Sequence, residues 1–71
     1  MTALRFDIHG RMQLELVRHR DEWRMFRIGT GLRSPVLDFA VPAHLKPEEL
    51  RAFLEDIYHE YAAPGTAVKR I

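Results

Sequence analysis

Leu50, Phe53, Leu54, Ile57, Tyr58 and Tyr61 recur at steps of three and four, which a helix of 3.6 residues per turn gathers into one apolar stripe. A lone stripe cannot make a core. It has to be buried against a flat partner, and the residues before it alternate apolar and polar with the period of a β-strand. The chain is therefore expected to be a sheet with one helix laid on one face, leaving the other face without a helix to cover it.

With 71 residues, the chain suits one domain with a small interior, since a chain of this size hides only about 60% of the surface its unfolded form exposes. Hydrophobic residues are 46% and charged residues 30% of the total, the range of folding rather than disordered sequences. There is no cysteine, so neither a disulfide framework nor a thiolate metal site can brace the core. The run Met1-Thr2-Ala3-Leu4-Arg5-Phe6 has no apolar leader segment, and no stretch approaches the ~20 apolar residues of a membrane-spanning helix. A cytoplasmic protein that does not engage membranes is expected.

Leu4, Phe6 and Ile8 alternate with Arg5, Asp7 and His9 in a first strand. After His9-Gly10-Arg11, where glycine can supply a positive φ, the alternation resumes at Met12, Leu14 and Leu16 in a second. His19-Arg20-Asp21-Glu22 then breaks the pattern before Trp23-Arg24-Met25-Phe26-Arg27-Ile28, in which apolar residues occupy both phases. If each hairpin has a three-residue loop, 9–11 and 19–21, Phe6, Leu14 and Phe26 form one inward row and Ile8, Met12 and Ile28 another. The outer face then sets Arg5 beside Glu15 beside Met25, Asp7 beside Gln13 beside Arg27, and Val17 beside Trp23. A shift in the second hairpin would instead turn Trp23 and Met25 inward and Phe26 and Ile28 outward.

Gly29-Thr30-Gly31 reads as a turn, and Val36 to Val41 alternates between Pro35 and Pro42, so a short fourth strand at an edge is expected there with Leu37, Phe39 and Val41 inward. Pro47 suits the first helical position, Glu48 and Glu49 face the positive end of the dipole, and Leu45 can staple to Leu50, although Lys46 is a poor N-cap. Pro64-Gly65 ends the helix near Ala62. The expected fold is α+β, a three- to four-stranded antiparallel β-meander with one C-terminal α-helix packed on one face. Residues 1–65 form the domain, and 66–71 are a frayed tail or a short strand.

Residues 1–34 hold seven arginines and four acids, whereas residues 35–71 hold four basic and six acidic side chains. The sheet half is thus mildly basic, which permits a nucleic-acid face without requiring one.

The segments Arg5-Phe6-Asp7-Ile8-His9-Gly10-Arg11, Trp23-Arg24-Met25-Phe26, Val41-Pro42 and Tyr58-His59-Glu60 together resemble a family of short bacterial proteins of unknown function. The resemblance supports the domain boundaries and implies no activity, cofactor or partner.

The four histidines, His9, His19, His44 and His59, lie on two turns, a loop and the helix, with no ligand spacing between any pair. Glu55 and His59 share a helix face, where a histidine in solvent supporting Glu55 accounts for them without a metal. Ser34 and three threonines occur in no nucleophile elbow, and the acid pairs Glu48/Glu49 and Glu55/Asp56 suit helix dipole and solvation. Gly29 to Ser34 lacks the lysine and the following helix of a phosphate loop. A chain this small could hardly enclose a ligand pocket of ~300 Å³. No catalytic, cofactor or metal site is expected.

The surface that invites a function is the outer sheet face, with Trp23, Met25, Val17, Arg27 and Arg5 as interaction candidates. The expected function is a non-catalytic protein-interaction module that binds an unknown protein or a second copy of itself through that face or the 36–41 edge. The alternative is nucleic-acid binding, with Arg5, Arg24, Arg27 and Arg33 on phosphates and Trp23 stacked on a base, since the three-strands-plus-helix order is similar to that of integrase-type DNA-binding domains. Asp7 and Glu15 interleave with those arginines and weigh against it.

Overall fold

A computed structural model of the chain describes residues 2–71; residue 1, which the 1–65 boundary includes, lies outside the described residues. Among the described residues the strands are β1 (Thr2–Ile8), β2 (Met12–His19), β3 (Glu22–Gly29), β4 (Leu32–Pro35) and β5 (Val68–Arg70), with one α-helix, α1 (Leu50–Ile57). Each strand pairs antiparallel with its neighbours in the order β4-β3-β2-β1-β5. The α+β expectation holds, with one strand more than the meander read from the sequence. The added strand is β5, three residues within the 66–71 tail.

The first hairpin has the expected register, with Phe6 opposite Leu14, Ile8 opposite Met12 and Arg5 opposite Glu15. His9 and Gly10 take left-handed φ angles of 51° and 70°; Gly10 does so without strain because it has no Cβ, and its N–H donates to the Asp7 carboxylate at 2.9 Å.

The second hairpin departs from the preferred register. His19 pairs with Glu22, Leu16 with Met25 and Arg18 with Trp23, so the loop is two residues, Arg20-Asp21, rather than three. One residue of slip exchanges the faces of the whole strand. Trp23 and Met25, expected on the outer face, are buried in the core at 7% and 5% exposure, and Phe26 and Ile28 face outward. Both registers bury an aromatic and an aliphatic side chain of comparable size, so apolar burial does not separate them. One polar group does. The indole N–H reaches the Leu45 carbonyl at 2.8 Å, whereas the slip only exchanges Arg24, now outward beside Glu22 at 3.0 Å, for Arg27 on the helix side.

The fourth strand is also displaced. Gly29 pairs with Leu32 across the two-residue turn Thr30-Gly31, so the strand begins at once and ends at Pro35, while residues 36–41 form no strand. Leu37, expected inward, is 86% exposed, and Phe39 is 37% exposed. Val41 and Val36 are half-buried against the core. Alternation is only a necessary sign of a strand; here the pairing with β3 ends in one bond from the Val36 N–H to the Met25 carbonyl at 2.9 Å, and the rest of 36–41 leaves the sheet.

The helical segment runs as a 3₁₀ turn (Pro47–Glu49), α1 and a second 3₁₀ turn (His59–Tyr61). Pro47 opens it as expected, and Glu49 replaces the missing N-cap side chain by accepting the Lys46 N–H at 2.8 Å. The helix breaks at Tyr58, earlier than the expected Ala62. Tyr58 leaves helical geometry at φ −112° and ψ 25°, where its buried ring meets Phe39 edge-on at 5.4 Å. His59 Nδ1 lies 2.9 Å from the Asp56 carbonyl and caps the helix end. It does not support Glu55, which pairs with Arg51 at 3.1 Å.

Leu50, Leu54 and Tyr58 of the predicted stripe are buried with Leu4, Phe6, Ile8, Leu14, Leu16, Trp23, Met25 and Val68 in one cluster. Thr66 fastens β5 beside the first turn: its Oγ1 donates to the Ala63 carbonyl at 2.7 Å and lies 3.0 Å from His9 Nδ1. No helix among the described residues is long and apolar enough to cross a membrane.

Candidate functional site

Alternation along the strands sends Arg5 and Asp7 of β1, Gln13, Glu15 and Val17 of β2, Arg24, Phe26 and Ile28 of β3, Arg33 of β4 and Lys69 of β5 to the face away from α1. At its centre Glu15 is buried although no helix covers it. Arg33 Nη1 donates to Oε1 at 2.6 Å and Arg5 Nε to Oε2 at 3.2 Å, so one carboxylate is held from two strands. The Arg33 hydrogen bond holds its carboxyl below the ordinary glutamate range, burial opposes the shift, and Arg5 adds to it. Arg33 also lies over the Phe26 ring at 4.2 Å to the centroid. Val17 is buried beside this ladder, and Phe26 and Ile28 are half-buried.

Of the interaction candidates read from the sequence, the structure leaves Arg5 and Val17 on this face. It removes Trp23, Met25 and Arg27, all three displaced by the same one-residue slip. Phe26, Ile28 and the Glu15 clamp take their place. The clamp was half visible as Arg5 beside Glu15; Arg33 joins it only because β4 starts directly after the third turn.

Arg27 emerges on the helix side, opposite Leu14 and Ser34. There the sheet is wider than its cover. Strands spaced ~4.8 Å apart make this sheet roughly 19 Å across, whereas a helix is ~10 Å wide, and α1 packs against β1 and β5. Over β3 and β4 a groove of about 490 Å³ remains, floored by Met12, Leu14 and Arg27 and walled by Asp38 and Phe39 of the segment after β4 together with Tyr58 and Tyr61, the Phe39 and Tyr58 rings touching. It is open rather than enclosed, and larger than a chain of this length was expected to offer.

A family model described as a domain of unknown function (DUF7661) matches residues 3–71, spanning the sheet, the helix and both surfaces. The chain belongs to DUF7661. The segmental resemblance to a family without assigned function thus extends over nearly the whole sequence. No match was found among curated proteins or among solved structures. What a DUF7661 domain can do is therefore read from its own side chains. Among the described residues, no group of three or more His, Asp or Glu side chains could hold a metal ion, and Ser34, the lone serine, is exposed on β4 with no histidine near it in the groove lining.

Proposed function

We propose that this DUF7661 domain is a non-catalytic protein-interaction module whose partner at the outer sheet face is a second copy of the same chain. The observation that carries the reading is the uncovered face itself, where Val17, Phe26 and Ile28 sit beside the Arg5–Glu15–Arg33 ladder. An open sheet face on which apolar side chains flank a preformed polar network gains most from a flat, dry partner, and two such sheets stack at ~10 Å as in a β-sandwich. The face carries four cations, Arg5, Arg24, Arg33 and Lys69, against three carboxylates, Asp7, Glu15 and Glu22. That near balance suits a self-complementary contact about a two-fold axis. The flat footprint is roughly 400 Å² per copy, below the ~800 Å² of a standard interface, so the dimer is concentration-dependent rather than permanent.

The edge route is less favoured. β4 is four residues long and ends in Pro35, which offers no donor to an added strand. Nucleic-acid binding is also less favoured, because Arg5 and Arg33 are engaged by Glu15, Arg24 by Glu22, and Arg27 lies on the opposite side.

Size exclusion with light scattering over a concentration series tests the reading. Mass should rise toward that of a dimer, and Phe26→Lys should return it to a monomer while the indole emission of Trp23 stays unchanged. A monomer at every concentration overturns the proposal. An amide-shift titration with duplex and single-stranded DNA at low salt should leave residues 5–33 unmoved; shifts there would favour the nucleic-acid reading.

A further inference from the structure

We infer that the groove lined by residues 34–39 and by Tyr58, Glu60 and Tyr61 just past the end of α1 is a binding site for a zwitterionic small molecule with a bulky apolar side chain, the chemistry of a free aromatic or large aliphatic α-amino acid. The site is independent of the outer face and of the dimer.

The first observation is charge left without a partner. Arg5, Arg33 and Arg24 are held by carboxylates, and Arg18 donates to the Ala43 carbonyl at 2.7 Å while stacking on Trp23. Arg27, in the groove floor, has no ion pair or side-chain hydrogen bond among the described residues. The same is true of Asp38 and Glu60 in the walls. Both signs thus line one groove without neutralising each other. Asp38 and Arg27 act on a common atom: burial raises the Tyr58 hydroxyl pKa most, Tyr61 and then Asp38 add to the rise, and Arg27 opposes it.

The second observation is the apolar lining. Met12 and Leu14 form the floor, and Phe39, Tyr58 and Tyr61 form a connected aromatic wall with centroid separations of 5.4 and 5.9 Å. The volume, about 490 Å³, falls within the ~300–1,000 Å³ of small-molecule sites.

These features select the ligand's charge. An anion that pairs with Arg27 meets repulsion from Asp38 and Glu60, and a cation held by the acids and the ring faces meets repulsion from Arg27. A molecule carrying both charges satisfies both sets: its carboxylate takes the guanidinium, its ammonium takes the acids and a tyrosine face, and its side chain covers the floor.

Amide-shift titrations with L-phenylalanine, phenylacetate and phenethylamine decide the matter. L-Phenylalanine should move residues 12–14, 27, 36–39 and 58–61, and each singly charged analogue should bind about fivefold more weakly. Arg27→Gln should bring L-phenylalanine down to the level of phenethylamine, and Asp38→Asn should bring it toward that of phenylacetate. Phe26→Lys should change neither, which separates this site from the dimer face. Both groove variants replace exposed side chains, and an unchanged melting curve verifies their fold. No groove shifts at tens of millimolar L-phenylalanine, or equal binding of the three probes, overturns the inference.

Discussion

Glu15 shows how one residue can be both a liability and a fastener. Its side chain is 11% exposed on a face without a covering layer, and the arginines that hold it are about half in water. Because its folded pKa lies below the unfolded value of about 4.3, its stabilising contribution is complete above that value and is lost as pH falls through the folded value. Thermal melts should therefore show wild type above Glu15→Gln at pH 7, with the gap closing as the pH falls from the unfolded value through the lower folded one. Trp23 makes the complementary case. It is the chain's one tryptophan, so its emission should be blue-shifted from that of an indole in water. Trp23→Phe should cost about 1 kcal/mol as the bond to the Leu45 carbonyl is lost, read as a fall in Tm of roughly 4–8 °C. That acceptor explains why its placement was illegible: Leu45 is 22 residues away, and nothing between Arg20 and Ile28 distinguishes an indole facing in from a Phe26 facing in.

At the scale of elements, what could be read depended on how much local chemistry marked each boundary. The helix start was written in Pro47, Glu48 and Glu49, and the first turn in Gly10. The second turn contains no glycine, so its length was open, and with it the face of every β3 side chain. Arg20 takes φ 58° while Asp21 does not, a pattern that in two-residue hairpin loops belongs to the type II′ turn, whose first position is usually glycine. Arg20→Gly should remove a left-handed penalty of about 1 kcal/mol and raise Tm by several degrees, measured by calorimetry. Residues 36–41 misled for the opposite reason. Their alternation is genuine, but a strand also needs a neighbour, and β3 had already been paired by β4 through the shorter turn.

The molecule as a whole is under-covered. One helix on a sheet roughly 19 Å across leaves an open outer face and an open groove on the helix side, and the sequence disclosed the first by offering a single apolar stripe. The second depended on α1 settling over β1 and β5, a long-range choice with no local mark. If the outer face pairs in solution, Tm should rise with protein concentration, because association stabilises by mass action, and the Phe26→Lys protein should melt at one temperature throughout a dilution series. The pairing of β1 with β5 has a kinetic consequence. The β1–β4 meander closes through turns of two or three residues, whereas Ile8 meets Val68 only after a loop of about sixty residues has closed. Pulse-labelled refolding should thus find the hairpin amides protected before those of Val68 to Ile71, with the chain's last segment zipping onto its first as the closing event.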